Sequence, residues 1–150
     1  MSFPSGLATM DGRDFMEVAE ALLVNDRQAF QRTSISRSYY AAFLEARSFS
    51  ERYLGFSRRA SGGEHQDVPR LIASFDFTVS DALRFLRVSR NTADYDLPVS
   101  PETIFSLSED ALDAARRIIA ALDAHADRLD RERQADESSS ASQEPSEGRD

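Results

Sequence analysis

The chain has 150 residues, with 18 basic and 26 acidic side chains, a net charge of −8, two His, no Cys and no Trp. That length favours a single domain, and the lack of Cys excludes a disulfide framework, thiol catalysis and cysteine-ligated zinc. All 18 cations are Arg, which excludes lysine Schiff-base chemistry and a Walker-type phosphate loop.

Residues 1–10 read as an N-terminal arm ahead of one helical domain, 11–133. Nearly every segment of that domain repeats apolar residues at helical spacing, and none alternates like a strand. Residues 11–30 set Phe15, Val18, Leu22 and Leu23 on one face, with Asp11 and Asp14 at the helix start. Residues 33–54 step through Ile35, Tyr39, Ala42, Phe43, Ala46, Phe49 and Tyr53, a wide aromatic stripe that reads as core. Gly55 and the pair Gly62-Gly63 punctuate a loop carrying Arg58 and Arg59.

A short helix over 65–75 follows, with Val68, Leu71, Ile72 and Phe75. Ser80 is the expected cap of the next helix, whose apolar face is Ala82, Leu83, Leu86 and Ala93. The stretch Asp96-Leu97-Pro98-Val99-Ser100-Pro101 ends it, because each Pro disfavours helix in the residue before it. Ser100, Pro101 and Glu102 then supply a cap, a first-turn Pro and an acid favourable to the helix dipole. The last helix runs to about Arg133 through Ile104, Leu112, Ala115, Ile119, Leu122 and Leu129. The Ser/Glu-rich tail, 134–150, has no large apolar residue to offset the entropy of ordering and is expected to be disordered. The fold class is all-α: an antiparallel four- to five-helix bundle with a disordered acidic C-terminal tail.

Charge is unevenly spread. Residues 32–90 carry ten Arg against six acids, a net of +4, while 91–133 carry five Arg against ten acids. The acidic whole argues against unaided coating of nucleic acid, yet the basic middle permits a focused site for one phosphate or a short RNA. No window approaches the ~18 uninterrupted apolar residues of a membrane span. The N-terminus lacks the basic segment and apolar run of a secretory signal, so a cytoplasmic protein without membrane contact is expected.

Three polar clusters interrupt the apolar faces. In Ser36-Arg37-Ser38-Tyr39-Tyr40-Ala41-Ala42-Phe43, Arg37 and Tyr40 share a helix side, and the two Ala admit close approach of another helix. His65 follows the Gly-Gly hinge. In Arg90-Asn91-Thr92-Ala93-Asp94-Tyr95-Asp96, Arg90 and Asp94 can pair at four residues' spacing. Asp94 near a helix C-terminus opposes the dipole and calls for a compensating partner such as an Arg. A structural ion-pair network and a functional site both fit these residues. Glu109, Asp110 and Asp113 read as a solvated face; no metal site and no cofactor are expected.

The run RTSISRSYYAAFLEARSF, His65 after a Gly-rich loop, and R-x-x-A-D-Y-D at 90–96 together resemble the HEPN superfamily. The similarity is to its prokaryotic branch with S-R-x-Y-Y-A-x-F and R-x-x-A-D-Y motifs, and it covers roughly residues 15–125. It implies a helical bundle that dimerises, with Tyr39, Tyr40, Ala41 and Ala42 as contributors. It further implies a role in toxin–antitoxin or phage-defence pairs, beside a minimal nucleotidyltransferase, with RNA or nucleotide as ligand. The family's metal-independent ribonuclease signature is an Arg followed four to six residues later by His. Arg90-Asn91 matches its opening, but Tyr95, Asp96 and Leu97 stand where that His belongs. Arg59 and His65 match only numerically, since their interval crosses Gly62-Gly63.

RNA cleavage by 2′-OH attack needs a base of near-neutral pKa and a cation for the phosphorane. Arg90 and His65 are the catalytic candidates, with His65 the imidazole nearest the cluster; His125 sits on the long acidic helix. Arg37, Tyr40, Asn91 and Asp94 are binding candidates, and Tyr95 matches the tyrosine that a partner transferase adenylylates in some family pairs. The expectation is a non-catalytic module binding RNA, nucleotide or protein; the alternative is a ribonuclease with an atypical active site.

Overall fold

The computed structural model describes residues 9–60 and 62–141, and its order is α1 (Gly12–Leu23), α2 (Gln28–Tyr53), α3 (Glu64–Ala73), α4 (Phe77–Tyr95) and α5 (Pro101–Ala141). All regular structure among the described residues is helical, as the apolar periodicity predicts. The central element is α2, which packs against all four of the others. Its stripe Ile35, Tyr39, Ala42, Phe43, Ala46 and Phe49 is buried, and it meets Val68 and Ile72 of α3, Leu83 and Leu86 of α4, and Ile104, Leu112, Ala115 and Leu122 of α5. No helix among the described residues is long and apolar enough to cross a membrane.

The first helix differs from expectation in length and phase. It stops at Leu23, and α2 begins at Gln28, so 24–27 form a connection inside the predicted 11–30 helix. Gly12, Met16 and Ala19 make the buried face, while Val18 is exposed. Small residues decide this phase. A side-chain carbon on Gly12 would lie 2.8 Å from the Ala41 carbonyl oxygen, so only Gly allows the two backbones to approach this closely. Asp11 closes a capping box with Asp14, accepting from the Arg13 and Asp14 amides. Tyr39, Ala41 and Ala42 are buried within the protomer, so of the expected dimer contributors only Tyr40 retains partial exposure.

Ser80 is not a cap. It lies a turn inside α4, fully buried, and donates to the Pro69 carbonyl at 2.7 Å. Asp76 caps α4 instead, accepting from the Val79 amide at 3.1 Å, and its other oxygen holds His125 Nε2 at 2.7 Å. That imidazole bond keeps the Asp76 carboxyl below its ordinary pKa. Ser100 begins α5 as expected, accepting from the Thr103 amide.

The last helix continues to Ala141, eight residues past Arg133 and into the stretch expected to be disordered. At about 1.5 Å per residue its 41 residues span about 60 Å, far beyond the bundle. The overhang is exposed and is carried by local bonds, Ser138 to the Gln134 carbonyl and Ser140 to that of Asp136. Most of the predicted arm (residues 1–8) and the last part of the predicted tail (142–150) lie outside the described residues.

Candidate functional site: an arginine–aromatic cluster on α2, α3 and α4

Residues three apart on a helix share a side, which aligns Arg37 with Tyr40 on α2. The Arg37 guanidinium lies 5.0 Å from the Phe15 ring centre and 5.1 Å from that of Tyr40. From α4, Arg90 reaches the same Tyr40 ring at 5.6 Å and the Tyr95 ring, also at 5.6 Å. Tyr40 is thus a shared platform for two cations, each within cation–π range. Arg90 Nε lies 2.8 Å from Asp94 Oδ2, and its Nη1 donates to Asn91 Oδ1 at 3.3 Å. The Nε–H of Arg90 is not aimed along that ion pair; it and Arg37 Nε are buried without an acceptor. Arg37 has no carboxylate within ion-pair distance among the described residues. Every residue nominated from the sequence (Arg37, Tyr40, His65, Arg90, Asn91, Asp94 and Tyr95) therefore falls in one neighbourhood. Within it Tyr95 is open to solvent, at 72% exposure.

His65 stands at the first turn of α3, behind Gly63, whose left-handed backbone (φ 95°) starts the helix. Its ring stacks on Phe43 at 4.3 Å and meets Tyr40 edge-on at 6.3 Å. Tyr39 Oη approaches His65 Nδ1 at 2.5 Å. Burial and the charges of Arg87 and Arg90 hold the His65 pKa below its ordinary value, favouring neutral imidazole. Burial pushes the Tyr39 phenol up to about 12, against the opposing charges of Arg87 and Arg90. Tyr39 Oη and His65 Nδ1 thus share one short hydrogen bond whose direction follows the imidazole tautomer: Tyr39 donates when the ring proton sits on Nε2, and Nδ1 donates when it sits there.

Arg87 completes this corner. Pro69 has no N–H to give to the carbonyl four residues back, which is that of His65. Arg87 Nη1 reaches that carbonyl at 3.4 Å. Around it a cavity of about 320 Å³ opens between α2, α3 and α4, with His65 on its wall and Arg70, Arg84 and Arg87 at its rim.

Four contributors escape a reading of the sequence. Tyr39 reads correctly as core, but its hydroxyl partner comes from another helix. Arg84 and Arg87 continue in steps of three to Arg90, and this row of like charges, costly to a helix, is the signal that marks them. Arg32 is the fourth. It is 8% exposed and donates to the carbonyls of Thr92, Ala93, Asp96 and Leu97 at 2.8–3.4 Å, with Nε on Gln28 Oε1. It closes the C-terminus of α4, where helix carbonyls lack intrahelical donors and carry negative partial charge. This is the cation that the dipole argument demands; Asp94 itself pairs with Arg90.

Chemically, the cluster offers fork-shaped cations held on aromatic faces, suited to phosphate oxygens. A histidine is present, but its Nδ1 is already engaged by the Tyr39 hydroxyl. No group of three or more His, Cys, Asp or Glu among the described residues is placed to hold a metal. No protein-family model matches the chain, and no curated protein or solved structure matches it either.

Proposed function

We propose that this chain is a HEPN-like component of a prokaryotic toxin–antitoxin or defence pair, acting as a non-catalytic module that binds RNA or nucleotide through the Arg37–Tyr40–Arg90 cluster. One observation carries the choice of binding over cleavage. His65 Nδ1 is tied to Tyr39 Oη at 2.5 Å and the ring is stacked on Phe43, so the imidazole is engaged inside the bundle rather than presented as a free base beside the Arg37 and Arg90 cations. Binding is supported by Arg37, whose guanidinium faces two aromatic rings with no carboxylate to neutralise it. The aromatic faces beside these cations suit stacked bases of single-stranded RNA.

Fluorescence anisotropy with a labelled single-stranded oligoribonucleotide tests this reading. The parent is expected to bind with a salt slope that falls by roughly 1.4 when Arg37→Ala and Arg90→Ala are combined, since each phosphate contact on a single strand contributes about 0.7. Binding unchanged in the folded double variant would exclude the cluster as the interface.

The ribonuclease reading keeps one supporting observation: Arg90 and His65 both meet the Tyr40 ring, at 5.6 and 6.3 Å. RNA incubated without metal decides it: cleavage by the parent, abolished by both Arg90→Ala and His65→Gln, would establish ribonuclease activity. The paired-transferase reading turns on Tyr95, whose exposure leaves its phenol open to attack the α-phosphorus of ATP with release of pyrophosphate. Intact mass after incubation with a partner transferase and ATP reports that step directly, and Tyr95→Phe should block it.

A further inference from the structure

The cavity between α2, α3 and α4 has a floor and a rim of opposite character. The floor is apolar, built from Phe43, Pro69 and Leu83. The rim carries Arg70, Arg84 and Arg87, and no acidic side chain lines the cavity. Arg70 has only a distant pair with Asp67, 3.9 Å between exposed side chains. Arg84 and Arg87 have no carboxylate within ion-pair distance among the described residues. In a chain with a net charge of −8, three cations around one hollow that no acid lines, two of them without an ion-pair partner among the described residues, are a local inversion of the whole molecule's charge.

The wall supplies a directional donor. His65 Nε2 makes no hydrogen bond within the described residues, and in the tautomer where Tyr39 donates to Nδ1 it carries the ring proton and can donate. Size limits the occupant. At about 320 Å³ the cavity stands at the small end of ligand sites, room for one nucleotide-sized group.

We propose that this cavity is a binding site for a phosphomonoester dianion, with Arg84 and Arg87 holding its terminal oxygens, His65 Nε2–H donating to a third, and the organic group lying on Phe43, Pro69 and Leu83. Guanidinium forks match the oxygens of a phosphate two at a time. The same chemistry is offered by a free mononucleotide and by the 5′-phosphate end of an RNA. The site adjoins the Arg37–Tyr40–Arg90 cluster through His65 but takes its cations from Arg84 and Arg87, so the arginine variants separate failure of one from failure of the other.

Isothermal titration of the full chain with 5′-AMP, with adenosine, and with a short oligoribonucleotide bearing either a 5′-phosphate or a 5′-hydroxyl tests the proposal. The parent is expected to bind 5′-AMP and to prefer it over adenosine by about ten- to a hundredfold, the loss that accompanies removing a charge-assisted partner. The combined Arg84→Gln and Arg87→Gln variant should lose that preference, and Arg116→Ala, whose arginine pairs with Glu20 away from both sites, should keep it. The Arg84→Lys and Arg87→Lys pair, which retains charge without the fork, should bind with intermediate strength and guards against a folding defect. A 5′-phosphorylated oligonucleotide that binds at least tenfold more tightly than 5′-AMP, and than its 5′-hydroxyl form, would identify an RNA end as the source. Comparable affinity for 5′-AMP would identify the free nucleotide. Equal binding of 5′-AMP and adenosine, no binding of any phosphorylated probe, or a preference retained by the folded Arg84→Gln/Arg87→Gln protein would each overturn the proposal.

Discussion

On the side where α1 and α2 meet α5, cations find anions. Arg13 pairs with Asp123 and Glu45, Arg116 with Glu20, and Arg52 with Asp130, all largely solvent-exposed arginines. On the side built by α2, α3 and α4, Arg37, Arg84 and Arg87 meet aromatic rings, a backbone carbonyl and open cavity instead. One residue type therefore serves two purposes in one bundle. Where an Arg meets an acid, as also in Arg47–Glu64 and Arg90–Asp94 on this second side, charge is neutralised locally; around Arg37, Arg84 and Arg87, which meet no carboxylate among the described residues, the positive field is left for an external anion. Arg32 belongs to neither pattern, because its anion is the end of α4 itself.

That third role should give the largest effect on stability. Arg32→Met removes the donor to four buried or half-buried carbonyls and replaces it with a side chain that makes no hydrogen bond to them. The expected loss is about 3 kcal/mol, the scale of hydrogen bonds to a charged group, with a Tm lower by roughly 10 °C. Thermal and urea unfolding should agree. A loss under about 1 kcal/mol would mean that water replaces Arg32 at the helix end and that the contrast between buried and exposed arginines is shallow.

Next in size is the shared platform. Tyr40→Leu keeps an apolar side chain between Arg37 and Arg90 but removes the ring face that both cations use. Two partly buried cation–π contacts are worth about 0.5–1 kcal/mol each, so a loss of about 1–2 kcal/mol is expected. RNA affinity should fall with it. Stability lost with RNA affinity intact would assign the cluster to structure alone.

The helices were legible because their apolar residues recur at helical steps and because Pro98, Pro101 and the glycines punctuate them. Phase was harder where small residues do the packing: Gly12 and Ala19 contribute little hydrophobicity, so Val18 draws the eye to the wrong face of α1. Ser80 and Asp76 are both acceptable caps by type, and only the Pro69 carbonyl from α3 claims Ser80 for another task. The same limit governs the site. Arg37, Arg90 and His65 could be nominated from local motifs, whereas the acceptors of Arg32 lie 60–65 residues away in the chain and the partner of Tyr39 lies 26 away. Hydrogen bonds between distant segments leave no periodic trace in either.

The Tyr39–His65 pair sets a smaller, pH-dependent effect. His65 binds its proton less readily when folded than at its unfolded pKa near 6.5, so below that pH the unfolded chain holds more protons and stability falls. At the alkaline end Tyr39 holds its proton to about 12 when folded, so its contribution is lost as pH rises from about 10 to 12. The pair is intact between these windows. A proton NMR titration of the His65 ring should give a midpoint below 6.5. A midpoint at or above 6.5 would show that neither burial nor the charges of Arg87 and Arg90 press on the imidazole and would weaken the picture of an uncompensated positive corner.

The smallest effect is expected on the neutralised side. Arg116 reaches Glu20 at 2.9 Å and Asp113 at 3.5 Å, but the partners are about half exposed, so solvent screens the attraction and ordering two long side chains costs entropy. Arg116→Ala should change stability by about 0.5 kcal/mol or less, partly offset by the higher helix propensity of Ala. Raising salt to about 1 M, where the Debye length shortens to about 3 Å, should erase that difference while leaving the Arg32→Met deficit largely in place. If Arg116→Ala proved as damaging as Arg32→Met, or equally indifferent to salt, exposure would not be what separates these arginines, and the division of the bundle into a neutralised and an available side would lose its energetic basis.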